Sequence, residues 1–188
     1  MLLLMYRTQQ NLEFINRHKD HDGPFEITQL INSFLAVVAH PWDQLLDKDK
    51  LNDIGLDSRV MRECGFPDIP NLPVEGNPAP MTSAYDLLRV LRNGMAHGNM
   101  ELLDRRALRD LRQYGPLPRV AEGEIAGIRI WNRKSESDPI TWCTALNIHE
   151  LEQIVTAMMR LCEKRSLWID AERLSQDQRD AERKARRA

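Results

Sequence analysis

Ile27, Leu30, Ile31, Phe34, Leu35 and Val38 recur at intervals of three and four, the spacing at which side chains share one face of an α-helix. This stripe predicts a core helix that stops or kinks at "AHPW", because Pro41 has no N–H to donate and restricts His40 to extended backbone. Trp42 caps the stripe. Upstream, Leu12 and Ile15 place a first helix from near Leu3 to about Arg17, broken by "HDGPF" with Pro24 at the first position of the next helix. A shorter helix is expected over Asp57 to Glu63. The stretch "GFPDIPNLPVEGNPAP" that follows holds five of the ten prolines and reads as a long surface loop.

The next helix begins at a capping box, Ser83 with Asp86, and buries Met81, Ala84, Leu88, Leu91 and Met95. At 100° per residue, Asp86, Val90, Asn93 and His97 form a second line roughly opposite that stripe, with Arg92 on its flank. Gly98 suits the position just past a helix end. "MELLDRRALRDLRQYG" then reads as helical again, with Leu103, Ala107, Leu108 and Leu111 on one side and Arg105, Arg109 and Arg112 on the other. That arginine row either tracks the phosphates of a nucleic acid or is the solvated face of an amphipathic helix.

Beyond it the period falls to two. "EIAGIRIWNR" and "ITWCTALNI" alternate apolar and polar residues around the polar "NRKSESDP", which predicts a β-hairpin. Asn147 and Glu150 then form a second capping signature, flanked by Leu146 and Leu151 as a hydrophobic staple. Leu151, Ile154, Val155, Met158, Leu161 and Cys162 form the stripe of the final helix. The expected organisation is one mainly α domain over residues 1–169, with a small β-hairpin before the C-terminal helix. Residues 170–188 are a charged tail, either a frayed helix or disordered, whose basic end from Arg183 to Arg187 could touch nucleic acid.

Composition changes this picture in three ways. A chain of 188 residues, 42% hydrophobic, suffices for one well-buried domain. Its net charge of −2 supplies no overall basic excess, so binding to nucleic acid must come from a local patch. Cys64, Cys143 and Cys162 are odd in number and widely spaced, which fits neither a disulfide framework nor a CxxC metal site. A cytoplasmic protein without a membrane partner is expected, since "MLLLMYRTQQ" is too short for a signal peptide or a membrane span.

The chemistry concentrates in "LRNGMAHGNM", where Arg92, Asn93 and His97 stand at a helix end. Either they are a solvated terminus or they are a site. Histidine exchanges protons near neutral pH, and a guanidinium holds two phosphate oxygens in its fork. Together they suffice to cut RNA without a metal or other cofactor, the base taking the 2′-OH proton while arginine stabilises charge on the phosphorane. Asn93 would orient the ring or contact the phosphate. One histidine cannot easily be base and acid in a single turnover, so a homodimer that brings two copies to one cleft is expected. No carboxylate pair stands nearby at metal-ligand spacing, and His149 with Glu150 is better explained as a helix start.

At these residues the sequence resembles the HEPN superfamily, whose signature is an arginine, usually followed by a polar residue, and a histidine four to six residues from that arginine. "LLRVLRNGMAHGN" resembles its motif helix, and "ITQLINSFLAVVAHPWDQL" resembles the core helix before it. The hairpin resembles that of a plasmid-borne bacterial HEPN branch. The likeness covers roughly residues 3–165 and implies an α-helical bundle acting as a dimeric ribonuclease of the toxin or phage-defence kind. Arg92, Asn93 and His97 would be its catalytic residues, with Arg105, Arg109 and Arg112 as candidate RNA contacts. An antitoxin or sensor protein is the implied partner. Some HEPN toxins carry a tyrosine just after the histidine that a nucleotidyltransferase modifies, but Gly98 and Asn99 stand here. The competing expectation is a non-catalytic HEPN module that dimerises or binds a nucleotide or a protein.

Overall fold

A computed structural model describes residues 10, 11, 13, 14, 17, 26–35, 48–74, 78, 81–112 and 124–165. The first elements are α1 (Glu26–Phe34), α2 (Lys48–Asn52), α3 (Arg59–Cys64) and α4 (Ala84–Ala96). They are followed by β1 (Met100–Asp104), α5 (Arg105–Arg112), β2 (Ile125–Asn132), β3 (Trp142–Asn147) and α6 (Ile148–Arg165). Most of the expected helix from Leu3 to Arg17, the kink at Pro41 with Trp42, and the charged tail lie outside the described residues.

The main core gathers α1, α2, α3, α4 and α6 on one face of the sheet. Leu30 and Phe34 of α1 meet α6, whose entire expected stripe from Leu151 to Cys162 is buried. Ala84, Leu88, Leu91 and Met95 of α4 are buried as the spacing predicts, while Met81 is half-buried against the same core. Burial forces the thiol of Cys162 up to about 12, the behaviour of an inert core cysteine. A smaller core of Leu103, Leu108, Ala126 and Ala145 lies on the opposite face of the sheet, under α5.

The sheet corrects one sequence expectation. Met100–Asp104 is not the start of a helix but an antiparallel strand on β2, pairing Met100 with Ile130 and Leu103 with Gly127. The sheet is therefore three-stranded, in the order β1-β2-β3, with the expected hairpin as two of its strands. Five residues are too few for a period of two to declare itself, and "LL" fits a helix as well as a strand. The Asp104 carboxylate starts α5 by accepting from Ala107 N–H at 2.8 Å. Leu103, Ala107, Leu108 and Leu111 do share one core, but Leu103 reaches it from the strand.

The proline-rich stretch is also more than a surface loop. Leu72 N–H donates to Cys143 O at 2.9 Å, Thr144 Oγ1–H to Pro70 O at 2.6 Å and Trp142 Nε1–H to Asn71 Oδ1 at 2.8 Å. These bonds cover the outer edge of β3, whose six residues are all buried. The edge that would otherwise present unpaired backbone groups is closed by the chain itself.

Helix α4 approaches β2 closely at Gly94. A methyl group there would overlap Ile130 Cγ2 and sit 2.9 Å from Trp131 O. Alanine would raise helix propensity by about 1 kcal/mol, but overpacking of this kind costs about 1–3 kcal/mol and meets backbone, which cannot turn aside. Gly94→Ala is expected to lower the midpoint of chemical denaturation. An unchanged or raised midpoint would contradict the close approach.

Candidate functional site

The capping box at the start of α4 forms as its sequence predicts. Asp86 N–H donates to Ser83 Oγ at 3.2 Å, and Ser83 N–H donates to Asp86 Oδ2 at 3.3 Å. Burial pushes the Asp86 carboxyl up, but hydrogen bonds from Thr82 and Ser83 outweigh it and hold the group below its usual range. At the other end the helix closes in a Schellman turn. Gly98 N–H donates to Met95 O at 3.2 Å and Asn99 N–H to Gly94 O at 2.8 Å, with Gly98 at φ 68°, where a side chain would be strained. Asn99 O then accepts from Trp131 N–H at 3.1 Å, so the helix end is tied to the middle strand of the sheet.

This geometry alters the helical wheel. Val90, expected opposite the core with Asn93 and His97, is fully buried, because α4 is covered both by the helices and by the sheet beneath Gly94. The outward arc instead carries Tyr85, Asp86, Arg89, Arg92, Asn93, Ala96 and His97. Arg92 is thus on the open face rather than at its flank. Its guanidinium turns to Asn93, Nη1–H donating to Oδ1 at 3.0 Å, and both residues are half-buried. His97 is exposed in the cap position, one turn beyond Asn93, with its N–H on Asn93 O at 3.1 Å. The arrangement brings Arg92 and Asn93 into contact and projects His97 into solvent beside them. Arg89, missed by the motif, stands on the same arc over the Tyr85 ring, 5.8 Å from its centroid, and 3.6 Å from Asp86. Its three- and four-residue offsets from Arg92 and Tyr85 were available in the sequence.

The arginine row of α5 divides. Arg105 and Arg109 are exposed, whereas Arg112 Nη1–H donates to Glu150 Oε2 at 2.6 Å with both side chains nearly buried. That carboxylate also accepts from Asn147 N–H at 2.9 Å, and Asn147 Oδ1 accepts from Glu150 N–H at 2.9 Å. The capping box of α6 is thereby locked to α5, and Arg112 is spent inside the fold. His149 Nδ1 lies 3.5 Å from Glu152, within its own helix. Among the described residues no group of three His, Cys, Asp or Glu could hold a metal ion, and no helix is long and apolar enough to cross a membrane.

Arg112→Ala would strand a nearly buried carboxylate and is expected to cost about 3 kcal/mol in denaturant titration. Arg105→Ala and Arg109→Ala should change stability by about 0.5 kcal/mol or less. Equal effects at all three positions would contradict this division.

No curated protein and no solved structure matches the chain. A family model described as HEPN pEK499 p136 matches residues 2–167, which takes in α4, the sheet and α6. The match spans nearly nine-tenths of the chain, and the chain belongs to the HEPN pEK499 p136 family.

Proposed function

We propose that the protein is a metal-independent endoribonuclease of the HEPN type, serving as a toxin or phage-defence effector and working as a homodimer. The observation that carries this reading is the outward arc of α4, where Arg92 bonded to Asn93 stands one turn from an exposed His97. Membership of a HEPN family supports it.

In the proposed reaction, one His97 takes the proton of a ribose 2′-OH as the oxygen attacks the adjacent phosphorus. The P–O5′ bond breaks, and the departing oxygen takes a proton from His97 of the second copy. The products are a 2′,3′-cyclic phosphate and a 5′-OH. Arg92 holds the non-bridging oxygens while charge accumulates on them, and Asn93 fixes the plane of the guanidinium through Oδ1. Arg105 and Arg109 would hold the strand further away, whereas Arg112 is committed to Glu150. Two-fold pairing along the α4 arc would bring both histidines to one cleft.

Purified protein is expected to cut single-stranded RNA in EDTA and to leave 2′,3′-cyclic phosphate ends. His97→Ala and Arg92→Ala should each lose about a hundredfold or more in rate, with Asn93→Ala affected less. Undiminished cutting by His97→Ala, or loss of cutting in EDTA, would overturn the mechanism. A dimer that cuts no RNA would favour the binding module instead.

A further inference from the structure

On the face of the sheet away from α4, Arg129 and Trp131 form a stack that the proposed reaction does not use. The Arg129 guanidinium carbon lies 5.6 Å from the Trp131 ring centroid. Arg129 is held from two sides, Nε–H on Cys143 Sγ at 3.4 Å and Nη1 at 3.7 Å from Glu101 Oε2. Among the described residues, α5 covers this face at Gly127, Leu103 and Ala145, while the other end stays open. There the Arg129 side chain is 34% exposed and Glu101 55%, and Trp131 is half-buried.

The backbone of Trp131 touches the motif turn at two points. Its N–H bonds Asn99, two residues past His97, and its carbonyl abuts Gly94, next to Asn93. The strand residue that anchors the motif turn through its backbone thus carries the stack on the other face of the sheet. We propose that Arg129 and Trp131 form a stacking site for an unpaired base of single-stranded RNA, adjacent to the scissile phosphate. This inference rests on the ribonuclease reading of His97.

The chemistry favours a base over a phosphate. Glu101, 3.7 Å from the guanidinium, would repel an anion brought to it, whereas a flat neutral base adds a layer to the cation–aromatic stack. Glu101 can also accept from an exocyclic amino group at the rim. A base is available for stacking only where the RNA is unpaired, so the site selects single strands over duplex.

The test uses the full-length His97→Ala protein, so that RNA is bound without being cut, with a fluorescein-labelled single-stranded oligoribonucleotide in an anisotropy titration. Adding Trp131→Ala or Trp131→Leu is expected to weaken binding about tenfold, the loss of one base stack, while Trp131→Phe keeps most of it. Annealing the complementary strand should also weaken binding. Leucine keeps apolar bulk, so a folding defect in the alanine variant does not remove the comparison. Binding by the leucine variant as tight as by its parent, or equal binding of single strand and duplex, would overturn the site. Wild-type cleavage with no loss on substitution at Trp131 would sink the stacking site alone, whereas an uncut RNA that still stacks would sink the cleavage mechanism alone.

Discussion

The contact between α4 and β2 governs where the motif stands. With no side chain on Gly94, the helix lies directly on the backbone of Trp131, and the Asn99–Gly94 and Trp131–Asn99 bonds close the turn that follows. A helix terminus normally leaves its last carbonyls unsatisfied and frays. Here the Schellman bonds and a strand begun immediately after them remove that freedom. Arg92, Asn93 and His97 are thus presented from a fixed end, which is what a site needs if it is to hold a phosphate in line for attack.

A second lock supports the first. Glu150 serves the cap of α6 and the ion pair with Arg112 through one carboxylate, so α5 and α6 are fastened across β3. Residues 70–72 close the remaining edge of β3. The strand is consequently buried on both faces and along its side, and the sheet becomes a rigid floor under α4 rather than a marginal hairpin.

Much of this was legible in the sequence where local chemistry and packing agree. Ser83 with Asp86 and Asn147 with Glu150 both form the caps that their spacing predicts, and the stripe of α6 is buried throughout. The burial of Val90 is not legible in a helical wheel with one core side, because the wheel ignores a sheet on the other. β1 resembles a helix in sequence because five residues carry no clear period, and only Asp104, which caps α5, marks the boundary. Arg112 looked like its neighbours Arg105 and Arg109, since its partner Glu150 is 38 residues away and no local pattern reveals it. Alternation along β2 puts Arg129 and Trp131 on one face but does not reveal that they stack.

The proposed reaction requires two histidines in one cleft. The direct measurement is the RNA cleavage rate of a heterodimer of one wild-type and one His97→Ala protomer, isolated through two different affinity tags. If base and acid come from opposite copies, the heterodimer falls to the level of the His97→Ala homodimer. Retention of roughly half the wild-type rate, as expected of two independent sites in a symmetric pair, would contradict the shared cleft.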